Sequence, residues 1–182
     1  MKFTPLNING AFKITPQKHG DNRGAFARVY CADEFAKQGL NSNWVQMNTS
    51  VNATKGTVRG LHFQHPPFSE VKLVRCVRGQ VLDVFVDLRK GSDDFGKVCT
   101  VTLNGDAMES VYIPAGCAHG FQTLSDDVEL HYCHSAPYSP AHEGGVNVSD
   151  KNLAIAWPLA KINMSERDKS HPSFTTTGPI SL

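Results

Sequence analysis

"VKLVRCVRGQVLDVFVDL" (residues 71–88) reads as two short strands, "VKLVRCV" and "QVLDVFVDL", joined at Arg78-Gly79. Both runs are rich in β-branched residues, and the Arg-Gly pair between them suits a tight connection. Outward along the chain the pattern continues. "KVCTVTL", "ESVYIP", "HGFQTL" and "VELHYCH" are short, β-branched or aromatic, and parted by turn formers such as Lys90-Gly91 and Asn104-Gly105. This spacing predicts an all-β sandwich or small barrel. Alternation within 71–77 sets Lys72, Val74 and Cys76 on one face and Val71, Leu73, Arg75 and Val77 on the other. Either choice of inner face buries a charge or leaves apolar residues outside. An inward Lys72 fits a polar cavity, and outward apolar residues fit a second layer or a subunit partner.

Helix signals are few. "CADEFAKQGL" (31–40) fits a short helix with Asp33 as its cap and Gly39 as its stop, and "MSERDKS" (164–170) fits another starting at Ser165. The tail "SFTTTGPISL" (173–182) reads as a loosely held terminus. With 182 residues, 40% hydrophobic and 19% charged, the chain suits one domain over 1–182. Eighteen basic against seventeen acidic residues leave a formal charge of +1, which excludes a broad electrostatic pull toward nucleic acid or an anionic membrane. The opening "MKFTPLNINGAFKITP" carries Pro5 and polar residues where a signal peptide places its apolar segment, and no later run is apolar enough to span a bilayer. A cytoplasmic protein is expected. Cys31, Cys76, Cys99, Cys117 and Cys133 form no CxxC pair and are expected to be reduced, buried small hydrophobes.

Two segments carry candidate chemistry. "RGLHFQ" (59–64) puts His62 and Gln64 on the same face of a strand, and "VYIPAGCAHGF" (111–121) turns through Pro114 and Gly116 to deliver His119 at the start of another. The order PxGxxH resembles the second half of the cupin signature, whose first half is HxH followed by a glutamate, a set that holds a divalent metal. Here Gln64 takes the place of the second histidine, and Glu70 lies too far along. A neutral amide is a poor transition-metal ligand, so no metal is expected. A histidine free of metal can act as a base when something orients it. Lys72 offers a fixed positive charge for an oxyanion, Tyr132 a phenol able to donate a proton, and Asp168 a carboxylate able to hold an imidazole. Each also has an ordinary reading: a core histidine, an exposed strand lysine, a packed tyrosine, a solvated helix aspartate. Arg23 and Arg167 read singly as surface charges. Spacing alone leaves both readings open.

The ordered set "GDNRGAF", "RGLHFQ", "KLVRCVRGQVLDVFVDLRKGS", "FGK", "IPAGCAHGFQTLSD", "YSP" and "SERD" resembles the dTDP-4-dehydrorhamnose 3,5-epimerase family, over roughly residues 18–170. The resemblance implies a cupin-like jelly-roll barrel with short peripheral and C-terminal helices. It also implies a metal-free enzyme without cofactor, a homodimer, and a substrate that is a nucleotide-diphosphate 4-keto-6-deoxysugar. Inversion at C3 and C5 would proceed through an enolate, for deoxysugar supply. By matching motif, His62 is the base, Asp168 its partner, Tyr132 the opposing acid, and Lys72 the group near the C4 oxygen. His119 and Arg59 would hold the sugar and phosphates. Arg23, Gln46, Asn48, Glu143 and Arg167 would make polar contacts to the nucleotide, and Tyr138 would stack on the base. Returning a proton to the other ring face needs one group per face, and His62 with Tyr132 meets that need.

Two departures from the family pattern fall among the expected nucleotide contacts: Arg28 where an acidic residue is usual, and Met47 between Gln46 and Asn48. A base other than thymine is therefore a second reading of the nucleotide. Val148-Ser149-Asp150 replaces the family's usual "WND". Other enzyme readings are an epimerase of C3 or C5 alone and a 3,4-ketoisomerase. From another class come a non-catalytic sugar-nucleotide binder and a metal-dependent cupin.

Overall fold

A computed structural model describes residues 1–182. The strands are β1 (Lys2–Pro5), β2 (Phe12–Thr15), β3 (Lys18–Asp21), β4 (Gly24–Ala27), β5 (Gln46–Asn52), β6 (Val58–Gln64), β7 (Lys72–Arg78), β8 (Gln80–Asp87), β9 (Val98–Asn104), β10 (Ser110–Ile113), β11 (Cys117–Thr123), β12 (Val128–His134) and β13 (Glu143–Gly145). The helices are α1 (Ala32–Lys37), α2 (Glu166–Ser170) and α3 (Phe174–Thr177). A six-stranded sheet in the order β1-β2-β10-β7-β12-β5 faces a five-stranded sheet in the order β13-β6-β11-β8-β9. Every pairing between these strands is antiparallel, and β3 with β4 makes a separate hairpin. This is the expected cupin-like jelly roll with short helices at its periphery.

The ambiguous alternation at 71–77 resolves because β7 and β8, in the middle of their sheets, are covered on both sides. Lys72, Val74 and Cys76 face inward, where Val74 and Cys76 join Val81, Phe85, Phe121 and Leu130 in the core between the sheets. Leu73 faces the other way and packs with Ile14, Phe35 and Tyr112 beneath α1. On β8, Val81 and Phe85 point into the barrel while Val84 and Val86 meet Val146, Val148, Leu153 and Ile180 outside it. Strands buried on both faces read as nearly continuous apolar runs, as β8 does. Each fully buried Phe, Leu or Val contributes about 1.5–3 kcal/mol.

Two local expectations are corrected. Asp33 does not cap α1: Cys31 stands at the N-cap with no side-chain bond, while Asp33 and Glu34 lie in the first turn. Glu34 accepts a hydrogen bond from the Met1 amino group at 2.7 Å. Gly39 does end the helix region, with φ of +70°. The tail is also not loosely held. It forms α3, buries Ile180, and pairs by Ile180 N–H to the Leu88 carbonyl at 2.6 Å and Lys90 N–H to the Ile180 carbonyl at 2.7 Å. An apolar residue that can close over β8 gains more from burial than a short terminal segment loses in freedom. All five cysteines are free, and burial pushes the thiols of Cys76 and Cys99 up to about 11 and that of Cys117 to about 12.

Gly120 of β11 packs tightly against β6. A Cβ there would collide with the Arg59 carbonyl oxygen and with Leu61 Cδ2 at 2.9 Å. Gly120→Ala is therefore expected to destabilise the fold by about 3 kcal/mol, because backbone rather than a mobile side chain must yield. Urea unfolding would measure it, and a midpoint matching the native chain would show that the two strands separate without strain.

Candidate active site

A cleft of about 290 Å³ opens between the sheets. Its walls come from β6 and β11 on one side and β5, β7 and β12 on the other. Of the twelve expected site residues, Gln46, Asn48, Arg59, His62, Lys72, His119, Tyr132, Tyr138 and Glu143 line it. Strand register does the assembling. His119 pairs with His62 across β11 and β6, Tyr132 with Asn48 across β12 and β5, and His134 with Lys72 across β12 and β7.

His62 Nε2 lies 2.8 Å from Asp168 Oδ1. Asp168 belongs to α2, whose Ser165 cap accepts the Asp168 N–H at 3.0 Å and so turns the carboxylate inward instead of toward solvent. Its second oxygen accepts the Gly60 N–H at 3.2 Å. Burial alone would raise this carboxyl, but the hydrogen bond and charge of His62, with the Gly60 and Ser165 bonds, lower it to about 2. An ionised Asp168 can only accept, so His62 Nε2 carries the proton between them and Nδ1 is left as the basic nitrogen.

Because the folded value lies below the ordinary 3.8, this carboxylate stabilises the fold fully above pH 3.8, and the contribution is lost as pH falls through about 2. The shift corresponds to about 2 kcal/mol. Asp168→Asn is expected to lower urea stability by that amount at pH 7 and to converge on the native chain toward pH 2. A difference that does not change with pH would remove the linkage.

Tyr132 stands on the opposite sheet, its ring 5.9 Å from that of His119. Burial first, and then the charge of Asp83, push its phenol well above the ordinary value, so it stays protonated and able to donate. Arg59 works in the other direction and would ease a transient phenolate. Lys72, nearly buried, projects into the cleft as the inward reading requires, and it is ion-paired with the equally buried Glu70.

Gln64 ties this pair to the surrounding loops. Its amide donates to Glu70 Oε2 at 2.9 Å and to the Phe68 and Pro137 carbonyls, and it accepts the Ser139 N–H at 2.6 Å. Gln64 thus occupies the cupin ligand position with every polar bond committed to structure. Together with the Glu70–Lys72 ion pair beside it, it leaves a donor set that does not fit a metal at the cupin position.

At the mouth, Tyr138, Glu143 and Arg167 form one cluster. The Tyr138 hydroxyl donates to Glu143 Oε2 at 2.9 Å and Arg167 Nη1 to the same oxygen at 2.7 Å. Gln46 Oε1 accepts the Tyr138 N–H at 2.9 Å. Arg167 stands at the rim, with Nη2 3.5 Å from His62 Nε2.

Arg23 is not brought to the cleft of its own chain. It sits at the tip of the β3–β4 hairpin, 86% exposed and paired with Asp21. The two departures from the family pattern also lie outside the cleft. Met47 points away from it, exposed between the inward Gln46 and Asn48, and Arg28 reaches toward Glu34 at 3.7 Å.

Two cleft residues, Glu70 and His134, and one buried behind the cleft wall, Asp83, were not among the expected site residues. Asp83 is fully buried and lies 2.8 Å from His119 Nε2, where burial raises its carboxyl against the pull of His119. Glu70 faces Lys72, and His134 is held neutral, near 4, by burial and then by the charge of Lys72. An acidic residue inside the apolar run of β8 was the available signal for Asp83, since an unpaired carboxylate is too costly to bury. Glu70 and His134 carried no such signal.

Proton donors and acceptors on facing walls of a cupin-like barrel are the arrangement that an acid–base isomerase requires. Comparison with known proteins identifies which one. The family model described as dTDP-4-dehydrorhamnose 3,5-epimerase matches residues 5–176. The dTDP-4-dehydrorhamnose 3,5-epimerase of Sinorhizobium fredii is 43% identical over 175 residues, covering 96% of this chain and 90% of that one. The dTDP-4-dehydrorhamnose 3-epimerase of Streptomyces niveus is 42% identical over 170 residues, covering 93% and 82%. A solved 4-keto-6-deoxy sugar epimerase from the novobiocin gene cluster of Streptomyces spheroides matches with a TM-score of 0.93 at 40% identity, over 97% of this chain and 89% of that chain. The chain belongs to the dTDP-4-dehydrorhamnose 3,5-epimerase family and is a sugar-nucleotide epimerase.

Proposed function

We propose that this enzyme inverts both C3 and C5 of a dTDP-linked 4-keto-6-deoxyhexose, with His62 as base, Tyr132 as acid and Lys72 at the C4 oxygen. The observation that carries the reading is the 2.8 Å His62–Asp168 pair on one sheet facing a protonated Tyr132 on the other. A proton next to a ketone is removable only when the enolate is stabilised, since each pK unit of mismatch costs about 1.4 kcal/mol. The Lys72 ammonium at the oxygen lowers that cost. His62 removes the proton from one ring face, Asp168 steadies the imidazolium, and Tyr132 returns a proton to the other face. One carbonyl activates both neighbouring carbons, so the same groups can serve C5 and C3 in turn.

Gln46, Asn48, Tyr138, Glu143 and Arg167 form the nucleotide end. Thymine is favoured because Arg28 and Met47, the residues that would argue for another base, stay outside the cleft of their own chain. We assign the working form as a homodimer. β5 is a free sheet edge bearing exposed Val45, Met47 and Val51 beside it or on it, and the unattached hairpin carries Phe26 at 75% exposure. Such features call for a partner of the same chain. In the dimer, Arg23 would reach the cleft of the partner.

Proton NMR in deuterium oxide with dTDP-, CDP-, UDP- and GDP-linked 4-keto-6-deoxyhexoses tests substrate and regiochemistry together. Deuterium is expected at both C3 and C5 with the dTDP sugar. Entry at one carbon only would make the enzyme a mono-epimerase, and preference for another nucleotide would displace thymine. Sedimentation of a monomer at working concentration would remove the dimer.

A further inference from the structure

His171 follows α2 and has no place in the proton relay, yet it is built into the wall behind it. Its ring lies in contact with the α-carbon of Gly145, where no larger residue fits. It meets the His62 ring edge-on, with centroids 5.4 Å apart. Its Nε2 is buried without a hydrogen-bond partner, 3.8 Å from Asp168 Oδ1. One ligand atom from each of His62, Asp168 and His171 lies within 4.8 Å of the others.

We propose that His62, Asp168 and His171 form a binding site for a divalent transition metal, zinc above all, whose occupancy switches the enzyme off. Two imidazoles and a carboxylate are a ligand set that zinc accepts, with room for a solvent ligand in the fourth position. Around a tetrahedral zinc the ligand atoms stand about 3.3 Å apart; here Asp168 stands 2.8 Å from His62 and 3.8 Å from His171, and no pair exceeds 4.8 Å. Rotation of the two imidazoles toward each other would close the set. His171 lines a shallow recess with Glu143, Gly145 and Arg167, and His62 and Asp168 line a second one with Arg59 and Arg167. Arg59 and Arg167 are the cations beside it: Arg59 Nε is held by Asn52 Oδ1 at 2.7 Å, and Arg167, which Glu143 neutralises at 2.7 Å, swings its Nη2 aside from His62 Nε2 when metal enters.

The site differs from the cupin metal position, which Gln64 and Lys72 block. It is also not a cofactor site. Metal on His62 Nε2 displaces the proton from that nitrogen, and a neutral imidazole bound through one nitrogen carries its hydrogen on the other. Nδ1 then ceases to be a base. The metal site rests on geometry alone, and only its inhibitory effect depends on His62 being the base.

Cobalt(II) titration of the native protein, followed by visible absorption, reads the site directly, and His171→Phe supplies the control because a flat ring still fits against Gly145. One equivalent of cobalt is expected to bind with bands typical of low coordination number, to be displaced by zinc, and to bind at least tenfold more weakly to H171F. Zinc should suppress deuterium exchange more than tenfold in the native enzyme, with recovery on adding EDTA, and leave H171F within threefold of its metal-free rate. His171→Gln serves in the same test if the phenylalanine variant does not fold. Absence of cobalt bands in the native protein, or equal affinity in a folded variant, would overturn the proposal. Metal bound at the site with exchange undiminished would instead sink the assignment of His62 as base.

Discussion

His62→Gln is expected to reduce deuterium exchange at the sugar carbons by about 10³-fold while changing nucleotide-sugar affinity by less than tenfold. The glutamine amide can still donate toward Asp168, so the buried carboxylate keeps a partner and the fold is not the variable. What disappears is the lone pair that removes the proton. Isothermal titration with the nucleotide product and exchange followed by NMR would separate the two effects. Parallel loss of binding and exchange would recast His62 as a binding residue, and exchange retained at the native rate would place the base elsewhere, with His119 beside Asp83 the next candidate.

Tyr132→Phe is expected to act differently. Inversion should fall by about 10²–10⁴-fold, the range for loss of a positioned general acid. Exchange should fall much less, because His62 still removes the proton and can return solvent deuterium to the same face. The variant would therefore wash deuterium into unreacted substrate without changing its configuration. The phenyl ring keeps the contact with His119, so packing is preserved. If exchange and inversion dropped together, Tyr132 would be needed for enolate formation itself; if neither dropped, a solvent molecule would be the acid. The high proton affinity that burial confers on this phenol is what makes it a donor and not a second base.

The six strands legible between residues 71 and 134 are β-branched or aromatic runs parted by turn formers, and they form β7 to β12 with ends shifted by no more than two residues. The short flanking strands were not legible. β1 to β4 contain Lys, Gly, Asp and Pro in quantity, and they are strands because pairing partners complete their hydrogen bonds. β13 contains only Glu143, Gly144 and Gly145, and it is held by register with His62, Phe63 and Gln64. Tertiary pairing overrode propensity at each of these. The helix cap at Ser165 was legible, since a serine oxygen that accepts the N–H three residues on is a local event.

Within the site, residue types and their order along the chain pointed to a proton-transferring histidine without cupin metal ligands, and alternation placed Lys72 on one of two faces. Those readings depend on neighbours a few residues away, which sequence contains. Three matters depended on groups distant in the chain. Burial of Asp168 follows from α2 docking 106 positions away from His62, and the carboxylate that burial would neutralise is kept ionised by that contact. Asp83 comes to support the site only where β8 passes His119. Met47 and Arg28, adjacent in sequence to expected nucleotide contacts, are excluded from their own cleft because a strand turns successive side chains to opposite faces and a hairpin leads its end away from the barrel. Sequence by itself determined the chemistry on offer, because reactivity resides in the residue types. Tertiary structure alone decided which groups meet, because convergence depends on register between strands far apart in the chain and on which face of each is closed from water.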